Sequence, residues 1–337
     1  MAQAQKPSTM SVYEGKWQVF ASWCRERDTN PLQANLPMIA DFLCELHEDK
    51  KLAYSTIDGY RTALGHMMKA FQGIDLARDP HISSLFANFA RDSSRQVSRL
   101  PKWDLAFVLQ VLTMAPFEPL DKAPLNLLTL KTVFLVTLAS GRRRSEIHAL
   151  TRESLMRAED WTSVTVSPCM EFVAKTELAN KGVKVLNSLT LQSLSAIVGS
   201  EMPEDLTLCP VRALRIYIQR TDLTRTETQK KLFMSYKKNF KKDISKNTIS
   251  GWLRKMVLHA YDQGTPEVKR LFKVKAHDVR SMAASWAFFH NASVDNIMAA
   301  CSWKCHNTFT SFYLRDLTRI QGDMLALGPI IAALHTS

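Results

Sequence analysis

Residues 125–146 read LNLLTLKTVFLVTLASGRRRSE. Leu, Val and Phe recur from Leu125 to Ser140, which predicts a buried helix, and Gly141 ends it. Arg142, Arg143 and Arg144 follow at once, with Glu146 one turn on. The plain alternative is a basic helix terminus in a basic domain. Two later stretches add weight. His277-Asp278-Val279-Arg280 puts a histidine and an arginine at i and i+3, on one helical face. Tyr313 stands in Phe312-Tyr313-Leu314-Arg315-Asp316. Arginines can neutralise charge growing on phosphate oxygens, a histidine can move a proton, and a tyrosine can become a covalent intermediate. The set suits attack on a phosphodiester without a metal.

Bulk properties agree. A chain of 337 residues, 46% hydrophobic, is long enough for two domains with substantial cores. It has no apolar run of membrane-spanning length, and MAQAQKPSTMSVYEGKW lacks a signal-peptide hydrophobic region. Six scattered cysteines fit reduced thiols inside a cell better than a disulfide framework. The net charge is +12, and its distribution is uneven. Residues 1–98 hold 11 Lys/Arg and 11 Asp/Glu, so the whole excess lies in 99–337. Lys230 to Lys255 carries nine basic residues against Asp243 alone. A polyanion is the implied partner, with nucleic acid ahead of membrane, and a solvated surface is the plain alternative.

The expected fold is mainly α. A helical N-terminal unit covers 1–92, a polar linker 93–101, and a mostly helical domain with a small antiparallel sheet 102–337. Helices are expected over Val12–Arg27, from Asn35-Leu36-Pro37, from a Ser55-Thr56 cap with Ile57, Leu64, Met68 and Phe71 on one stripe, and from Asp79-Pro80. Further helices are expected to begin at Cys209-Pro210 and at Lys246. Thr162–Val166 alternates as a strand should, with Phe172–Lys175 and Val183–Leu186 as expected partners.

The ordered set of Gly-x-Arg-x-x-Glu, His-x-x-Arg and Tyr resembles the tyrosine recombinases, the phage-integrase family. Thr56-Ile57-Asp58-Gly59-Tyr60-Arg61-Thr62-Ala63-Leu64 looks like a helix of that family's core-binding (SAM-like) DNA-binding domain. Leu208-Cys209-Pro210-Val211-Arg212-Ala213-Leu214, Ser285-Trp286-Ala287 and Thr308-Phe309-x-x-Phe312-Tyr313 look most like enzymes of DIRS-like retrotransposons and their Crypton relatives. The resemblance implies a site-specific DNA recombinase that clamps duplex DNA and forms a 3′-phosphotyrosyl intermediate for mobile-element integration in a nucleus.

It also implies roles: Arg143 and Arg280 on the phosphate, Glu146 orienting Arg143, His277 assisting proton transfer, Trp303 donating its indole N–H, and Tyr313 as nucleophile. The spacing from Trp303 to Tyr313 is one residue longer than in the most familiar members, and His306 is the alternative to Trp303. Lys175 matches the general acid on a hairpin, with Lys181 and Lys184 as rivals. Arg95, Arg99, Lys237, Lys238, Lys241 and Lys242 are expected on DNA phosphates, and an apolar tail after Asp316 is expected to join a homo-tetramer, with docking on its own chain as the alternative. No cofactor or metal is expected: Cys301, Cys305 and His306 lack a fourth ligand, and no acidic cluster of the two-metal kind occurs. Two rivals stay open, a type IB topoisomerase-like enzyme and a non-catalytic DNA-binding protein.

Overall fold

A computed structural model describes residues 7–92, 103–173, 188–199, 202, 206–237, 241–261, 274–301, 303 and 305–315. The chain divides into two compact units, Met1–Ser98 and Arg99–Ser337. The expected linker at 93–101 lies outside the described residues.

The first unit is four helices: α1 (Pro7–Arg25), α2 (Leu36–Glu48), α3 (Tyr54–Gln72) and α4 (Pro80–Asp92). Asn35 caps α2, its side-chain oxygen accepting from the Met38 N–H at 3.1 Å. Asp79 caps α4, accepting from His81 and Ile82 N–H at 2.9 and 3.0 Å. Phe20, Phe42, Leu43, Ile57, Leu64, Met68 and Phe86 form the core, each worth about 1.5–3 kcal/mol when buried. Three expectations are corrected. Helix α1 opens at Pro7, not Val12. Helix α3 opens on Ala53 rather than Ser55-Thr56, because an extended Ala53 backbone lets its carbonyl accept the first helical N–H bonds. Phe71 is exposed, so the buried stripe of α3 ends at Met68.

The second unit is built around a helix buried along most of its length. In chain order it contains α5 (Leu105–Leu112), α6 (Leu125–Ser140), α7 (Arg144–Ala149), β1 (Met156–Arg157), β2 (Ser163–Val166), β3 (Leu189–Gln192), α8 (Leu194–Val198), α9 (Pro210–Thr221), α10 (Lys246–Ala260), α11 (Ala276–Phe289) and α12 (Val294–Ala300). Helix α6 packs against α9, α10 and α11. Its buried Thr129, Thr132, Thr137 and Ser140 hydroxyls each donate to the carbonyl four residues back at 2.7 Å, so none is left unsatisfied.

The sheet is antiparallel in the order β1-β2-β3. Val164 pairs with Leu191 and Val166 with Leu189, all four facing the core. The expected strand partners are therefore corrected. Pro168 has no N–H to continue the ladder, and the Phe172 N–H turns back to the Cys169 carbonyl at 3.0 Å. That takes Phe172 and Val173 out of the sheet, and Lys175 and Val183–Leu186 lie outside the described residues.

Lys131 on α6 is fully buried. Its ammonium donates to the Leu112 carbonyl at 2.7 Å and to Glu118 at 2.5 Å, and Arg212 of α9 grips the same carboxylate at 2.8 and 3.0 Å. Burial by itself would raise the Glu118 carboxyl, but the Arg212 and Lys131 hydrogen bonds outweigh it and hold it below its ordinary range. Burial pushes the Lys131 ammonium down despite Glu118. The carboxylate governs the pH response of the cluster, because two cations share it. Glu118→Ala leaves a buried ammonium without its counter-ion and should cost about 3–5 kcal/mol in denaturant unfolding. A carboxyl depressed in the folded state stabilises above its unfolded pKa and loses that contribution as pH falls through its folded value. Wild-type stability should therefore drop below about pH 4.3 more steeply than that of Glu118→Gln.

Candidate active site

Helix α6 stops at Gly141, whose φ of +57° is left-handed. A second constraint acts there: a Cβ on residue 141 would stand 2.7 Å from the Cys301 sulfur. Glycine is thus required by conformation and by space. The three arginines that follow diverge. Arg142 reaches the Ser188 carbonyl at 3.4 Å, and Arg144 reaches the Ser250 hydroxyl at 2.7 Å. Arg143, extended at the N-cap of α7, turns to Glu146. The Glu146 carboxylate accepts from the Arg143 backbone N–H and from its guanidinium, both at 2.9 Å.

Arg280 arrives from α11, only 1% exposed. Its Nη1 stands 3.9 Å from the Glu146 Oε2, so one buried carboxylate faces both arginines. Nη2 donates to the Cys301 carbonyl. The guanidinium carbon lies 4.6 Å from the Trp303 ring centre and 5.5 Å from that of Tyr313. Burial pushes the guanidinium below its ordinary range, yet an arginine stays charged. Arg280 Nε and Nη1 and the Trp303 indole N–H are buried without a hydrogen-bond partner among the described residues. Each unsatisfied buried donor costs about 1–3 kcal/mol. These donors belong to two side chains in contact, Arg280 and Trp303, and each could take an acceptor oxygen from an anion.

Tyr313 lies against these donors. Its ring centre is 4.4 Å from Trp303 and 4.8 Å from His277. It ends a π-helical turn, Phe309–Tyr313, in which the Leu314 N–H bonds the Phe309 carbonyl at 2.8 Å. A π turn accommodates one more residue than an α turn, which absorbs the extra residue between Trp303 and Tyr313. Phe309, fully buried and stacked on Trp303 at 5.7 Å, anchors the turn in a small separate core with Ile297, Met298 and Cys301. His277, on the first turn of α11, keeps an exposed edge. Partial burial, then Arg280, with Arg143 and Arg315 behind it, push its imidazole below the ordinary range against the pull of Asp278.

The structure thus brings Arg143, Glu146, His277, Arg280, Trp303 and Tyr313 together. His306 is not among them: its side chain is 63% exposed and faces an exposed Asp295 at 3.4 Å. Lys175 and its rivals Lys181 and Lys184, with Arg95, Arg99 and Lys238, lie outside the described residues. Lys237, Lys241 and Lys242 are exposed, as are Lys246, Arg254 and Lys255. Phe233 belongs to the core, and Tyr236 packs on Trp252 at 5.5 Å. Among the described residues no three His, Cys, Asp or Glu side chains could hold a metal together. Sequence reasoning missed the Cys301 carbonyl, which no side-chain motif can reveal, and Ser285, discussed below.

Gly141→Ala should lower the melting temperature. The strained φ alone is worth about 1–2 kcal/mol, and the new methyl must displace Cys301. The double variant Gly141→Ala/Cys301→Ala should lose less than the sum of the two single changes. Strict additivity would show that the sulfur does not enforce the glycine.

No family model and no curated protein matches the sequence. Solved structures do. A lambda integrase tetramer bound to a Holliday junction matches with a TM-score of 0.55 at 13% identity, over 97% of this chain and 76% of that one. XerH site-specific recombinase bound to a palindromic difH substrate matches with 0.56 at 13%, over 92% and 77%. Tn1549 transposon integrase in complex with transposon right end DNA matches with 0.53 at 13%, over 94% and 92%. These neighbours are tyrosine recombinases and integrases, and this chain has their mainly α fold.

Proposed function

We propose that the protein is a site-specific DNA recombinase that breaks and rejoins strands through Tyr313. The observation that carries this reading is the set of buried donors on Arg280 and Trp303 that have no hydrogen-bond partner among the described residues, with a phenol beside them. A phosphodiester supplies the acceptor oxygens these donors lack. Arg280 is 1% and Tyr313 8% exposed, so binding of a phosphate requires local opening around these side chains.

In the step itself the Tyr313 oxygen bonds to phosphorus and the bond to the 5′ oxygen breaks, leaving a 3′-phosphotyrosyl link and a free 5′ hydroxyl. Arg143 and Arg280 neutralise charge on the non-bridging oxygens, and Trp303 adds a hydrogen bond. His277, kept neutral by its surroundings, can take the phenolic proton. Lys175 is the proposed donor to the departing 5′ oxygen. Attack by a partner strand's 5′ hydroxyl reverses the chemistry, and the covalent link conserves the bond energy, so no nucleotide hydrolysis is needed. Glu146 has no contact with substrate in this scheme; it holds both arginines in place.

We place the protein among recombinases of DIRS-like or Crypton-type mobile elements, acting in a nucleus as a homo-tetramer joined through the tail after Asp316. What supports it is the motif resemblance, together with neighbours that include a transposon integrase and a tetramer on a Holliday junction. The cationic surface from Lys237 to Lys255 supplies phosphate contacts whose affinity falls with salt.

On a nicked suicide substrate in EDTA, wild type should accumulate a covalent protein–DNA adduct and Tyr313→Phe none. Failure of wild type to form adduct overturns the enzymatic reading. Adduct without dependence on paired sites, and without four-way junctions, would favour a topoisomerase instead. Arg280→Ala should slow adduct formation by about 10²–10³-fold. Because the pKa of His277 is depressed, its neutral form persists through neutral pH. The rate should stay flat there and fall only below about pH 6.5, a decline that His277→Gln removes.

A further inference from the structure

Where the π turn ends, the chain leaves helical geometry, and backbone groups at such an end need partners from elsewhere. Leu314 is extended, with ψ of +124°. The groups on either side of it are both taken by one side chain. The Ser285 hydroxyl donates to the Tyr313 carbonyl at 3.2 Å and accepts from the Arg315 N–H at 2.8 Å. Ser285 is fully buried, so water does not compete for these bonds. It lies on α11, the same helix that carries His277 and Arg280.

We propose that Ser285 is a positioning residue for the nucleophile: it bolts the Tyr313 backbone to the helix that bears the phosphate-binding arginine and the proton acceptor. Both bonds fall on main-chain atoms, the carbonyl of Tyr313 and the N–H of Arg315 two residues on. The phenol ring can therefore rotate about its own side-chain torsions while its pivot stays at a set distance from Arg280. The π turn gives the nucleophile its phase, and Ser285 gives it its reach. An error of about 1 Å in such a placement can cost about 10²-fold in rate. This inference rests on Tyr313 being the nucleophile.

The test uses the full chain on the suicide substrate, with adduct rate measured at saturating DNA and affinity measured separately. Ser285→Ala removes both bonds and one atom of bulk. Its maximal rate, measured below its melting temperature, should fall about 10- to 100-fold with DNA affinity near wild type, while the melting temperature falls because a buried N–H and a buried carbonyl lose their partner. Ser285→Thr retains the hydroxyl and should restore the rate, and Ser285→Val, of the same shape as Thr but without the hydroxyl, should not. In a Tyr313→Phe background, Ser285→Ala should leave DNA affinity unchanged. The bolt is overturned, and the recombinase reading survives, if wild type forms adduct and Ser285→Ala matches or exceeds it, or if Val serves as well as Thr. The bolt is likewise overturned if Ser285→Ala lowers affinity and rate in parallel. If wild type forms no adduct, the reading falls and the bolt with it.

Discussion

The site hangs on one buried carboxylate. Glu146 accepts two hydrogen bonds from Arg143, three residues before it, and faces Arg280 from a helix far along the chain at 3.9 Å. Two guanidinium groups brought this close repel each other strongly where water is excluded. A shared carboxylate between them is what makes the pairing tolerable, and it leaves the cationic pair with a net positive charge. That residual charge, with donors left unmatched, is what an incoming phosphate would complete.

The rest of the second unit keeps those three side chains in register. Helix α6 delivers Gly141 and Arg143 at its end, and α11 lies along it bearing Arg280. Lys131 and Arg212 fasten α6, α9 and the segment carrying Glu118 to one another. A second, smaller core holds Trp303 and Tyr313, and it meets the first at the Cys301 sulfur packed on Gly141 and the Cys301 carbonyl bound to Arg280. Helix α11 spans the two cores, with Val279 and Met282 in the larger and Ala284 in the smaller.

Much of this was legible in residue order. Asn35 and Asp79 announce helix starts because a short side-chain oxygen satisfies exposed N–H groups wherever the chain turns into a helix. Val164 and Val166 announce a strand by alternation. The strand partners were not legible: Leu189–Gln192 looks like any short apolar run, and Pro168 and the turn after it remove the nearer candidate. Ser55-Thr56 misled because a backbone carbonyl at Ala53 does the work expected of a hydroxyl. Trp303 and His306 could not be separated by spacing, since the outcome depends on a π turn that adds one residue without changing which way Tyr313 faces.

By itself the sequence determined the fold class, the charge asymmetry and the residue types of the site, because periodicity, caps and functional groups are local properties. It also determined that Gly141 closes a buried helix beside a run of arginines. Only the tertiary structure decided that Glu146 serves two arginines, and that Trp303 and not His306 meets Tyr313. Only it revealed Ser285 and the Cys301 carbonyl as partners. These outcomes depend on distances between groups remote in sequence, and such distances are set by packing.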